Sequence, residues 1–271
     1  MKFNYQGKIA IIALFGWLIT SGNLWAHDPV FSPGPHVLFK DGVEIHVGTE
    51  RDKADNARMD EQKLAFKYGL TGNWVVGIDL PYQKSQSKLA TQKGVGDITL
   101  STKYRFWRKD MLGAQESAAF LLNLKLDSSN AQLSTDSTDF MVGFTYGYES
   151  LKWYRWASMR YRFNQNRGGL QRGDRLFVDM AIGYRPQIND YRAPDTVFIL
   201  ELNGEFRGRN AMDGINIRTS GGNQWFISPG IMWTKRNIAI KAGIQIPAWS
   251  NLDPFQSRAD YRASLELEWH L

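Results

Sequence analysis

From residue 42 onward the chain is written in a period of two. In segments of about ten to fourteen residues, apolar side chains take every second position, the spacing that places them on one face of a strand. In Gly96–Phe106, Ile98, Leu100, Tyr104 and Phe106 share one face, and Asp97, Thr99, Ser101, Lys103 and Arg105 share the other. The closing stretch does the same: Tyr261, Ala263, Leu265, Leu267, Trp269 and Leu271 alternate with Arg262, Ser264, Glu266, Glu268 and His270. The pattern recurs over 42–51, 61–70, 73–82, 95–107, 117–127, 138–149, 152–164, 174–186, 195–208, 223–234, 236–246 and 259–271. An all-β chain of about twelve antiparallel strands is the expected fold class. Twenty-five Gly against nine Pro, with 15 Phe, 11 Tyr and 10 Trp, suits strands and turns better than helical bundles.

Alternation alone serves a soluble sandwich as well as a membrane barrel, so length and connections must decide between them. Strands of soluble sheets run about 5–6 residues, whereas a tilted membrane-spanning strand needs about 9–11, and these segments match the longer figure. Tight connections at Thr71-Gly72, near Ser150-Leu151 and at Lys235 largely alternate with longer polar ones at 52–60, 83–94, 128–137, 165–173, 209–222 and 247–258. That alternation is expected when one rim faces the periplasm and the other the exterior. Two connections of the tight class, 108–116 and 187–194, read as longer than the rest. With both termini periplasmic, Tyr68, Trp74, Tyr104, Tyr148, Trp153, Tyr184, Trp233 and Trp269 fall at the periplasmic strand ends on the lipid face. Tyr82, Phe140, Phe163, Phe206 and Trp225 form the opposite girdle. Amphipathic rings settle at the headgroup level, so the expectation is a closed barrel over 42–271 in the outer membrane of a Gram-negative bacterium.

The N-terminus differs. Lys2 and Lys8 flank an apolar run, Ile9–Ile19, that ends in polar and small residues up to Ala26. This reads as a secretory signal peptide over 1–26, although the residue three before the cut is Leu24 rather than Ala. Beyond it no stretch approaches the ~20 apolar residues of a membrane helix. Removing the signal takes away two Lys and no acid, lowering the net charge by two from +6. A modest excess spread in both signs along the chain is no nucleic-acid footprint. There is no Cys, so disulfides, thiolate metal sites and Cys nucleophiles are ruled out.

The polar face of each strand points into the lumen, where both charge signs occur in similar numbers. Charges buried without partners in a low dielectric are very costly, so this set must be wet or mutually paired. Arg160 and Arg162, with Arg175 and Arg185 on the following strand, form the densest basic cluster and are candidates to attract an anionic solute, with Asp179 nearby to neutralise them. Tyr154, Trp156, Phe177 and Phe226 are the aromatic side chains expected inside, as solute contacts or as filling of a narrow barrel.

Catalysis has little to stand on. The sequence holds four His, namely His27, His36, His46 and His270, and none sits in a nucleophile arrangement. No Gly-x-Ser-x-Gly elbow and no His-Glu-x-x-His motif occurs. The reading is a non-enzyme whose partners are outer-membrane lipid, a small-molecule solute and the barrel-assembly machinery, which reads an alternating C-terminal strand; here that strand ends in Leu271 rather than Phe.

The segment 27–41, expected to be periplasmic, carries the sequence's most distinctive motifs. His27-Asp28-Pro29, Gly34-Pro35-His36, the Gly42-Val43-Glu44 entry into the first strand, and Gly94–Ile98 opening a strand that ends Lys103-Tyr104-Arg105-Phe106 together resemble a family of outer-membrane transporters named meta-pathway phenol-degradation proteins. The resemblance spans nearly the whole mature chain. It implies a β-barrel channel for aromatic or other small hydrophobic compounds. The residues themselves leave two alternatives open, an anion or acidic-sugar porin and a closed structural or sensing barrel.

No cofactor is required by these readings. One metal site is nevertheless expected as a test case: cleavage after Ala26 would join the α-amino group of His27 to its imidazole as a chelate. His36 and His46 would then be further ligands for Cu(II) or Zn(II). The alternative is that these histidines line the periplasmic mouth without metal.

Overall fold

Each alternating segment becomes a strand that pairs with its neighbours in sequence. The computed structural model describes residues 27–88, 90–129, 137–190, 192–253 and 256–271; the expected signal peptide, 1–26, lies outside the described residues. The strands are β1 (Val43–Ala54), β2 (Ala57–Thr71), β3 (Trp74–Gln86), β4 (Thr91–Val95), β5 (Thr99–Met111), β6 (Ala114–Lys125), β7 (Asp139–Ser150), β8 (Trp153–Phe163), β9 (Asn166–Arg167), β10 (Leu170–Gln171), β11 (Arg175–Tyr184), β12 (Asp195–Arg207), β13 (Ala211–Met212), β14 (Ile215–Asn216), β15 (Gly222–Lys235), β16 (Ile238–Leu252) and β17 (Ala259–His270). Among the described residues there is no helix.

The long strands run in the order β2-β1-β17-β16-β15-β12-β11-β8-β7-β6-β5-β3, and β2 pairs with β3 to close the ring. The result is a twelve-stranded antiparallel barrel, as the sequence period requires. Closure leaves the twelve long strands no free edge where they cross the lipid and pairs their backbone N–H and C=O groups, the condition a sheet must meet there. Leu200, Phe198, Ile182, Met180, Leu265 and Leu267 are among the exposed apolar side chains of the outer face. The girdles also hold: Tyr68, Trp74, Tyr104, Trp153, Tyr184 and Trp269 are exposed at the rim that carries the chain ends. Cross-strand ring pairs reinforce them, Trp153 with Tyr184 at 4.7 Å on one rim and Phe140 with Phe163 at 4.5 Å on the other.

Several connections differ from expectation, 83–94 among them, where β3 continues to Gln86 and pairs with β4. The loop expected at 52–60 is a hairpin whose strands pair as far as Ala54 and Ala57, with Asp55 at φ 49° in the turn. The connection expected over 108–116 is likewise tight, turning at Leu112-Gly113 with Gly113 at φ 71°. In both, the hydrogen-bond ladder continues past the lipid zone, where apolar alternation is no longer needed and ion pairs such as Arg51–Asp60, 2.6 Å, bridge the strands. Outside the opposite rim, the hairpins β9–β10 and β13–β14 join through Leu170–Met212 and Gln171–Ala211 into a four-stranded sheet.

The segment 27–41 does not extend into the periplasm as expected. It folds back into the lumen, where Val30 packs with Val197, Ile199 and Met232, and with Phe31 and Tyr154 beside them. Glycines on the wall make room. A Cβ at Gly230 would stand 2.9 Å from Val30, and one at Gly243 2.8 Å from Phe31, so the strand backbone itself is the seat for these two side chains.

Candidate functional site in the barrel lumen

Period two points alternate side chains of twelve strands inward, and the segment 27–41 is pinned to several of them. Glu201 on β12 accepts hydrogen bonds from the backbone N–H groups of Val30, 2.8 Å, and Phe31, 3.0 Å, and from Ser32 Oγ, 2.6 Å. Lys103 on β5 donates to Asp28 Oδ2, 2.9 Å, and to the Gly34 carbonyl, 2.8 Å. Thr145 on β7 donates to the Pro33 carbonyl, 2.9 Å. His36 reaches Glu149, which also accepts from Trp156 Nε1 at 2.8 Å. Burial by itself pushes Asp28 upward, but the Lys103, Lys67 and His36 charges outweigh it and hold the carboxyl below its ordinary value.

A cavity of about 1140 Å³ remains beside the segment. Its lining runs from Asp52 and Glu61 towards the long-loop rim to Arg108 and Asp110 towards the rim of the termini.

Near the long-loop mouth three arginines stand in a row. Arg162 on β8 is directly opposite Arg175 on β11, and Arg175 is directly opposite Arg207 on β12. Arg207 donates to Glu205 at 2.9 Å and to Gln224 at 3.0 Å, and Arg262 on β17 also pairs with Glu205. Among the described residues neither Arg162 nor Arg175 has an ion pair; Arg162 instead lies over the Phe177 ring at 5.4 Å. Arg160 covers the same ring at 5.1 Å and is neutralised by Asp179 at 2.6 Å. Like charges directly opposite on neighbouring strands are unfavourable, so this row favours a counter-ion.

The residues singled out from sequence therefore divide. Arg160, Arg162, Arg175 and Phe177 come together. Arg185 does not join them: it lies at the far end of β11, paired with Asp195 at 2.5 Å. Tyr154 and Trp156 stack at 5.4 Å towards the rim of the chain ends, where Trp156 and His36 share the Glu149 carboxylate. Phe226 is fully buried under the Arg262 guanidinium at 4.6 Å. The expected histidine set does not assemble, because the fold carries His36 to Glu149 while His27 bonds Glu268 Oε2 at 3.0 Å and His46 faces Glu266 at 3.4 Å. Sequence reasoning missed the anchoring role of Glu201 and Thr145 and the meeting of His27 with His270. No signal within single strands marks those roles, since each partner lies more than a hundred residues away.

A closed twelve-strand antiparallel barrel with an apolar outer belt, two aromatic girdles and a charged lumen is an outer-membrane β-barrel of the porin-like class. The family described as "Putative MetA-pathway of phenol degradation" matches residues 83–249, and the chain belongs to that family. Its fold is similar to that of an outer membrane channel from Pseudomonas putida F1, with a TM-score of 0.70 at 13% identity over 89% of this chain and 99% of that one. It is also similar to the NanC porin, with a TM-score of 0.53 at 11% identity over 84% of this chain and 100% of that one. No curated protein sequence matches the chain.

Proposed function

We propose that the protein is a passive outer-membrane channel for small organic anions, with aromatic carboxylates the solutes that suit its mouth. The observation that carries this reading is the Arg162–Arg175–Arg207 row beside Phe177, in which two guanidinium groups have no carboxylate of their own among the described residues. A guanidinium offers a planar fork of donors matched to a carboxylate, and a charged mouth with low-dielectric walls concentrates counter-ions. The cavity lining, which reaches towards both rims, supports a route past the segment 27–41. The aromatic route implied by the family resemblance and the anion route open from the residues thus meet in one solute class.

The reading is tested with the purified, folded barrel in planar bilayers and in liposomes. Anion-selective conductance and entry of labelled benzoate are expected. The double variant Arg162→Ala/Arg175→Ala should lose much of the anion preference while still conducting. Unchanged selectivity in that variant would remove the arginines from the mechanism, and an absence of both conductance and uptake would reject the channel. One observation favours a closed structural or sensing barrel instead, the many bonds holding the segment 27–41 across the lumen; that reading predicts a silent wild type.

A further inference from the structure

Where β1 and β17 run side by side at the rim of the chain ends, their inward faces bring Glu44 opposite His270 and His46 opposite Glu268. The segment 27–41 adds His27 from above, with Nδ1 3.0 Å from Glu268 Oε2 and its ring 5.1 Å from that of His270. Three imidazoles and two carboxylates thus converge, each less than a tenth exposed. Ligand atoms of His27, Glu268 and His270 all lie within 4.8 Å of one another, as do those of Glu44, His46 and Glu268. Glu268 belongs to both sets.

The cluster is rich in carboxylate. Glu44, Glu266 and Glu268 are carboxylates; Lys67 lies 2.7 Å from Glu44, and Lys241 lies 3.0 Å from Glu266 and 2.7 Å from Glu268. With the imidazoles neutral, these three buried carboxylates meet two ammonium groups at 3.0 Å or closer, and Lys63 acts on Glu266 from further off. The cluster is thus a setting in which an added cation is favourable.

We propose that His27, Glu268 and His270 bind one divalent transition-metal ion, which clasps the start of the lumenal segment to the last strand. Two imidazoles and a carboxylate with a fourth position open to water form a ligand set that suits Zn(II). Tetrahedral bonds of about 2.1 Å place ligand atoms roughly 3.4 Å apart, so the side chains need only close inward around the ion. The ion takes the place of the proton between His27 and Glu268, which passes to solvent or to the other ring nitrogen, and adds positive charge beside the carboxylates. This inference stands apart from the channel reading, because it concerns the attachment of the segment and is read by metal binding alone.

The test is calorimetric titration of zinc chloride into the tag-free, refolded, chelator-treated barrel, together with zinc X-ray absorption of the loaded wild type. One ion per barrel is expected, weakened about tenfold or more in His27→Ala and in His270→Ala. His36→Ala, whose side chain sits at Glu149, should bind as the wild type does. The absorption spectrum should show nitrogen and oxygen ligands with imidazole scattering, a readout that holds even where a variant fails to fold. Absence of saturable binding, equal affinity in folded His27→Ala and His270→Ala barrels, or a spectrum without imidazole would each overturn the proposal.

Discussion

Ser32 Oγ lies 2.6 Å from Glu201 Oε2 although the two residues are 169 apart in sequence. The same carboxylate also receives the Val30 and Phe31 amides, so one lumenal side chain on β12 secures the middle of the segment that narrows the barrel.

Removing it should release that segment without dismantling the wall. Glu201→Ala leaves three donors without their acceptor, and each buried donor left unsatisfied costs about 1–3 kcal/mol. The variant should remain a heat-modifiable barrel, yet single-channel recordings should show larger and noisier conductance than the wild type. A trace identical to the wild type would mean that the segment does not limit flow.

Docking should also respond to acid in a defined direction. Asp28 is on the segment, and the Lys103, Lys67 and His36 charges outweigh the effect of burial and hold its carboxyl below the ordinary value, near 3.9 for a free Asp. A depressed carboxylate contributes stability that is fully present above its unfolded value and is lost as pH falls through the folded one. Amide exchange protection of Val30 and Phe31 should therefore exceed that of Asp28→Asn at about pH 5 and above and converge with it as pH falls below about 4. Convergence already near neutrality would mean that the Lys103–Asp28 pair does not hold the segment.

The two faces of the wall should tolerate charge very differently. Leu200 is half-exposed on the outer face, paired with Ile182 and Pro229 in mid-strand. An arginine there meets hydrocarbon, at a cost of about 2–4 kcal/mol near the bilayer midplane. Asn123 lines the cavity, and Asn123→Arg should change folding stability much less. Denaturant titrations of both variants in lipid vesicles compare the costs directly; equal losses would contradict the assignment of faces.

The strands were legible because their signal is local. Alternation over ten residues sets which side chains face lipid, and Ile98, Leu100, Tyr104 and Phe106 carry that information without reference to any other strand. Strand ends were less legible. Beyond the lipid, as in Arg51–Asp60 and Lys53–Asp260, both faces are polar and the ladder continues with no apolar rhythm to mark it.

By itself, the sequence determined that this chain forms a membrane barrel of about twelve strands, which face of each strand is wet, and where its aromatic girdles lie. Period two, strand length and the position of rings are properties of single segments. Only the tertiary structure decided that residues 27–41 turn into the lumen, that Arg162 and Arg175 stand opposite each other, and that His27 meets His270 rather than His36. Those outcomes depend on register between strands and on distances across the closed ring. Neither is written in a segment's own pattern, because closure brings together residues whose separation in sequence carries no information about their separation in space.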